Sequence, residues 1–292
     1  MPDLISPVFG VVSGSGPLND FLIRLLNLSV AASAIITEHY EDTSRSGLLR
    51  SKTDKTPLTE ADLASHRMLS EGLGGLSPGT PILSEESDAG EIAGRRQWDR
   101  LWMLDPLDGT REFLDRTGEF TINIALIEAQ RSVLGLVYQP MRKQGFLGIP
   151  GAGAWRVWRD SSGWQTESIS TRVLRNDELV LCASHRHRNP RLDTTLAFLG
   201  ESRALTRRNS GSALKFCDLA AGEGDCYPRF SPCSEWDVAA GEALVTAAGG
   251  AVLGLDGKPL RYNARDSLLS PHFIAIGDPD TSLWSDLLAK VQ

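Results

Sequence analysis

The chain has 292 residues, of which 41% are hydrophobic and 23% charged, and it carries a formal net charge of −7. At ~150 residues per domain this length holds one large core or two packed halves, and the composition excludes a disordered or fibrous chain. The acidic balance argues against broad binding to nucleic acid polymers but leaves room for a small anionic substrate, because bound cations can invert a local field.

Residues 1–17 are rich in Ser, Gly and Pro, lack periodicity and a basic n-region, and read as an N-terminal extension rather than a secretory signal. From Leu18 to Ile36 the apolar positions follow helical spacing, which predicts a long amphipathic helix. The apolar stretch 21–37 is broken by Arg24 and Asn27 and reads as too short and too polar to span a bilayer. Thr59 has the character of an N-cap for a second helix, ended by Gly74 and Gly75. Residues 101–104 form a wholly apolar run that fits a buried strand, which Pro106 and Gly109 should then interrupt. Segments 120–127 and 132–138 read as a hairpin, and 145–149 and 154–158 as further strands.

The polar stretch 159–167 marks a boundary between an α+β half, 18–165, with a mainly antiparallel sheet, and an α/β half, 166–292. In the second half, strands are expected at 179–183, 225–230 and 273–276, with a turn at Asp256-Gly257. Helices are expected at 190–199, 212–221, 237–248 and 282–290. The four cysteines (Cys182, Cys217, Cys226 and Cys233) show no metal-ligating spacing and read as buried reduced thiols of a cytosolic protein.

The chemistry concentrates in acidic residues. Asp105-Pro106-Leu107-Asp108-Gly109-Thr110 sets a carboxylate at the end of an apolar strand, where a lone charge is expensive unless paired or bound to a cation. The loop offers two carboxylates, the Leu107 carbonyl and a hydroxyl, hard oxygen ligands that suit Mg²⁺. For the hexapeptide alone, an Asx-type turn in which both Asp side chains cap backbone N–H groups is an equally good account. Glu85-Glu86 alone has the look of solvated surface charge, and Asp237 before Val-Ala-Ala that of a helix N-cap. Asp62 sits where a capping box would place it after Thr59.

Taken together, residues 83–86, 105–110 and 236–241, with Leu58-Thr59-x-x-Asp62 upstream, resemble the signature regions of the inositol monophosphatase superfamily of Mg²⁺-dependent, Li⁺-sensitive phosphatases. The resemblance runs from about Leu18 to the C-terminus and implies a layered αβαβα fold. It implies that Glu85, Asp105 and the Leu107 carbonyl ligate a first Mg²⁺, and that Asp105, Asp108 and Asp237 ligate a second, with two or three ions in all. Thr110 and Asp62 match the residues that orient the attacking water, with Glu86 nearby. The resemblance further suggests a homodimer and a cytoplasmic enzyme; peripheral attachment to the inner membrane stays open.

Within the superfamily, Lys52-x-Asp54-x-x-Pro57-Leu58-Thr59, Gly211-Ser212-Ala213-Leu214-Lys215-Phe216-Cys217 and Tyr227-Pro228-Arg229-Phe230 resemble the bacterial 3′(2′),5′-bisphosphate nucleotidases of sulfur assimilation. That likeness implies adenosine 3′,5′-bisphosphate as substrate, its sulfated form as a second one, and an inositol or sugar phosphate as the alternative. Glu85, Leu107, Asp108, Gly109, Thr110 and Asp237 would face the reacting phosphate, and Gly211, Ser212, Lys215 and Arg229 the second one. A solvated surface pair is the competing account of Lys215 and Arg229. Ala213 departs from the second Ser usual in that group, and the basic segment 184–188 is best read as an exposed loop.

Overall fold

The computed structural model describes residues 18–42, 50–51, 57–175, 177–185, 189–201 and 203–292. The expected extension 1–17, Lys52 and Asp54 of the upstream motif, and residues 186–188 of the basic segment lie outside the described residues.

Helix α1, Asp20–Glu41, starts where Asn19 Oδ1 accepts the Leu22 N–H at 2.9 Å. By length and composition alone it could cross a membrane, contrary to the expectation from its Arg and Asn. Its apolar side (Leu22, Leu25, Leu26, Ala32, Ile36) is nevertheless fully buried in the core. A two-residue ladder pairs β1 (Arg50–Ser51) with β2 (Pro57–Leu58) ahead of helix α2, Glu60–Leu76. Helix α2 runs through Gly74 and Gly75 and stops at Ser77, so the predicted stop comes early. A glycine costs only about 1 kcal/mol inside a helix, and a Cβ on either of these two would meet nothing within 4 Å.

Strand β3 (Ile82–Ser84) lies parallel to β4 (Arg100–Asp108), and helix α3 (Thr110–Leu114) follows β4 directly. The proline does not end β4 as expected: its pairing with β5 (Thr121–Glu128) slips between Asp105 and Asp108 and then resumes at Asp108 opposite Thr121. Strands β6 (Arg131–Gln139), β7 (Gln144–Ile149), β8 (Gly153–Asp160) and β9 (Gly163–Ile169) complete an antiparallel run, giving a seven-stranded sheet in the order β3 to β9. The polar stretch 159–167 is thus the turn and flanks of the last hairpin of this sheet rather than a linker, polar because both strands are half exposed.

A five-stranded sheet, ordered β11-β10-β12-β14-β13, forms the second half. It contains β10 (Glu178–Ala183), β11 (Ala204–Asn209), β12 (Cys226–Arg229), β13 (Ala251–Gly254) and β14 (Phe273–Ile276). Strand β10 pairs in parallel with β11 and β12, and β14 pairs antiparallel with β12 and β13. The helices are α4 (Pro190–Gly200), α5 (Leu214–Ala220), α6 (Ala239–Ala247) and α7 (Leu283–Val291). The predicted helix 212–221 is shorter at both ends, and 237–248 is a 3₁₀ turn, Glu235–Asp237, followed by α6.

Three apolar clusters define the layers. One joins α1 and α2 to one face of the seven-stranded sheet through Trp102, Leu104 and Ile124. A second fills the space between that sheet's other face, α5 and α6, and the five-stranded sheet, through Met103, Phe216, Leu244 and Phe273. The third packs α4 and α7 on the outer face of the five-stranded sheet through Leu181, Ile274 and Trp284. The order is helices, sheet, helices, sheet, helices, the expected αβαβα arrangement. It explains why 101–104 is apolar at every position: β4 is covered on both faces.

Candidate active site

The parallel register that sets Ser84 opposite Leu104 carries Glu85 to the side of Asp105, and the Glu85 N–H donates to the Leu104 carbonyl at 3.1 Å. Asp237 arrives from the other half, on the 3₁₀ turn that enters α6. Carboxylate oxygens of Glu85, Asp105 and Asp237 then lie within 4.8 Å of one another, with Asp105 buried. Three carboxylates this close repel one another unless a cation sits among them, and an all-oxygen set fits a hard divalent ion. The donor set therefore suits Mg²⁺.

Asp237 does not cap α6 through its own position, as its sequence context suggested. It is the third residue of a capping box begun by Ser234, whose N–H donates to Asp237 Oδ2 at 2.9 Å. Asp108 stands opposite Thr121, and its Oδ2 accepts from Asn123 Nδ2 at 3.1 Å. Burial pushes Asp108 up to about 6, a rise that the Lys215 ammonium opposes. Burial likewise raises Asp237 to about 7, with the charges of Asp108 and Glu85 adding to it. The simple Asx-turn account does not suffice, since only Asp105, accepting the Leu107 N–H at 3.1 Å, caps the loop in that way.

The loop is pinned from below. Ser65 of α2 donates to the Pro106 carbonyl at 2.8 Å. Thr59 donates to Asp62 Oδ2 through both its N–H (2.8 Å) and its hydroxyl (2.5 Å), so the expected capping box is present. The other oxygen of Asp62 accepts from Thr110 Oγ1 at 3.2 Å, while the Leu107 carbonyl is 3.5 Å from the same hydroxyl. Glu86 follows Glu85 in the turn, its N–H donating to Ser84 Oγ at 3.3 Å; that hydroxyl also meets His66 Nδ1 at 2.9 Å.

The second-phosphate residues divide. Lys215 is not a solvated surface cation: it is 1% exposed, and its ammonium donates to the carbonyls of Ser210 (2.9 Å) and Ser212 (2.6 Å). Burial draws it down to about 8, with Arg229 acting in the same sense and Asp108 against it. Arg229 is half-buried and donates to the carbonyls of Ser231 and Pro232 at 3.3 and 3.2 Å. Burial pulls the guanidinium down, but Tyr227, Cys233, Asp237 and Asp108 outweigh it and hold it above its ordinary value. Gly211 donates its N–H to Glu119 Oε2 at 2.9 Å, and Ser212 Oγ reaches the carbonyls of Asp108 and Glu119. Gly109 has φ +92°, and a Cβ there would meet Ser212 Oγ at 2.2 Å, so glycine is required for two reasons.

Sequence reasoning missed Thr121 and Asn123, which brace Asp108, and Glu119, which joins the halves. The first two had a visible signal: polar residues at alternate positions of an otherwise apolar strand, on one face. Glu119 had none, because its partners come from a segment some ninety residues away.

The chain is similar to known proteins along most of its length. The model of the inositol monophosphatase family matches residues 19–289. The 3′(2′),5′-bisphosphate nucleotidase CysQ of Escherichia coli K12 is 40% identical over 253 residues, 86% of this chain and 98% of that protein. The protein of the same name from Salmonella typhimurium is 44% identical over 223 residues, 76% and 86% of the two chains. The crystal structure of CysQ from Bacteroides thetaiotaomicron superposes with a TM-score of 0.74 at 35% identity, covering 89% of this chain and 98% of that one.

Proposed function

The chain belongs to the inositol monophosphatase family, and from that premise we propose that it hydrolyses the 3′-phosphate of adenosine 3′,5′-bisphosphate to give AMP and phosphate. The observation that carries the proposal is the convergence of carboxylate oxygens of Glu85, Asp105 and Asp237 within 4.8 Å from three separate segments, a group that could hold a metal ion. The names of the relatives at 40% and 44% identity support the bisphosphate as substrate.

Glu85, Asp105 and the Leu107 carbonyl would hold one Mg²⁺, and Asp105, Asp108 and Asp237 another; bound there, the ions neutralise the phosphate and acidify water. The chain's own part is positioning and proton movement. Because the Thr110 hydroxyl gives its proton to Asp62, its lone pairs are free to accept from a water and aim it at phosphorus. As that water loses its proton, the Thr110 hydroxyl can pass its own to Asp62 and take the new one. Asp62 is 1% exposed, and its Oδ2 accepts from the N–H and the hydroxyl of Thr59, which leaves Oδ1 as the oxygen that faces Thr110. Glu86, next to Glu85 in sequence, would be a further proton acceptor on this reading. Arg229, whose Nε and Nη2 also donate to the Ser231 and Pro232 carbonyls, is the cation left for the second phosphate on this reading. The sulfated nucleotide carries the same 3′-phosphate and is a second substrate on this reading. Four free, buried thiols suit the reducing cytoplasm.

The test is phosphate release from adenosine 3′,5′-bisphosphate and from inositol 1-phosphate, side by side, with Mg²⁺ and with EDTA. We expect preference for the bisphosphate and loss of activity in EDTA. Preference for the inositol ester would overturn the substrate and keep the chemistry; activity that survives EDTA would overturn the metal site.

A further inference from the structure

Between Asp108 and Glu119 the chain leaves the sheet, forms α3 with Thr110 at its start, and returns at the head of β5. The ends of this excursion are bridged by one side chain from the other half of the molecule. Ser212 Oγ lies 2.9 Å from the Asp108 carbonyl and 2.6 Å from the Glu119 carbonyl. A hydroxyl has a single proton, and both partners are acceptors only, so that proton is committed within the protein. What remains on the oxygen are lone pairs, which repel an anionic phosphate oxygen.

The surroundings of Ser212 are built to keep it there. Its φ is +44°, a left-handed conformation that is uncommon outside glycine and is kept only where the surroundings hold it. The Lys215 ammonium holds the conformation by donating to the carbonyls of Ser210 and Ser212 on either side of Gly211. Gly211 donates to the Glu119 carboxylate, and a Cβ on it would come within 2.8 Å of the Glu119 carbonyl and of Glu112 Cγ. The 210–212 segment therefore lies on the excursion, with Gly109 left bare to admit the hydroxyl.

We infer that Ser212 is a positioning residue that closes the base of the excursion carrying Thr110, and not a contact to substrate phosphate; Lys215 is the strut that holds Ser212 in place. The inference rests on the reading of Asp108 and Thr110 as parts of a metal-dependent phosphatase site. It assigns two of the four residues that resemblance gave to the second phosphate, Ser212 and Lys215, to the geometry of the first.

Ser212→Gly tests it, because glycine adopts φ +44° freely and only the hydroxyl is lost. Expected are a kcat lower by about tenfold or more for the bisphosphate and for a monophosphate alike, KM within about twofold, and weaker Mn²⁺ binding to the metal-free protein by calorimetry. A raised KM for the bisphosphate alone, with kcat and Mn²⁺ affinity kept, would make Ser212 a substrate contact and overturn the inference. Unchanged kinetics and Mn²⁺ binding would overturn it as well. If the wild-type protein binds no Mn²⁺, the metal reading itself fails and this inference with it; if only the variant comparison fails, the metal reading stands.

Discussion

Thr110 and Asp62 illustrate how a residue's role depends on one hydrogen bond. Asp62 would be a plain capping-box residue if both its oxygens faced Thr59, yet only Oδ2 does. Oδ1 accepts from Thr110 Oγ1 at 3.2 Å, so the cap of α2 and the start of α3 share a carboxylate. If the pair acts as a unit on one water, Thr110→Ala and Asp62→Asn should each lower kcat by about 10²–10⁴-fold, and the double variant should lose little more. Steady-state kinetics of the three proteins check this. Losses that multiply in the double variant would mean that the two residues act independently. Asp62→Asn keeps an acceptor oxygen for the Thr59 cap, so a thermal midpoint close to wild type is expected alongside the kinetic loss.

At the scale of elements, α6 decides where Asp237 stands, and the seven-stranded sheet decides where α6 stands. A Cβ on Gly135 would meet the Ala240 carbonyl at 2.1 Å, and one on Gly148 would meet Leu244 Cα at 2.3 Å. The helix backbone thus lies directly on β6 and β7, with no side chain between. Gly148→Ala puts a methyl against backbone, which cannot rotate away, and should destabilise the protein by about 1–3 kcal/mol. It should also lift the helix that follows Asp237 and raise the Mg²⁺ concentration needed for half-maximal activity. Urea unfolding and a Mg²⁺ titration measure both; an unchanged denaturation midpoint would refute the tight approach.

These elements also show what could be read from the sequence. Helical spacing and strand alternation located α1, α4, α7 and the strands around the hairpins, because those signals are local. The continuation of β4 through Pro106 was not legible, since it depends on a register slip against β5. Strand β11 was missed because as an exposed edge strand it carries almost no apolar pattern. That Glu85, Asp105 and Asp237 belong together was legible through their motifs. The burial of Lys215 was not, because a lysine one turn into a helix looks the same in sequence whether its ammonium meets water or two carbonyls.

The whole molecule is divided at its acidic cluster. Asp105 and Asp108 stand on β4 of the first sheet and Glu85 directly follows β3, while Asp237 and the cations Lys215 and Arg229 come from the second half. A cation bound between them therefore ties the halves together, and its absence should be felt as a loss of stability with a definite pH dependence. Burial, before mutual repulsion, raises Asp108 to about 6 and Asp237 to about 7, from 3.8 for both. For an acid raised in the folded state, the fold favours the protonated form. That contribution is full below the unfolded value and is lost as pH rises through the folded one. From these two groups the metal-free protein should lose thermal stability between pH 5 and pH 8. Mg²⁺ binds the ionised carboxylates and only the folded state gathers them, so its stabilisation should grow over the same interval. Thermal midpoints in Mg²⁺ and in EDTA at pH 5 and pH 8 provide the check: the gap between the two conditions should be small at pH 5 and wide at pH 8. A gap equal at both values would mean that the ion is held by groups already charged at pH 5, which would remove Asp108 and Asp237 from the site and leave the two halves joined by packing alone.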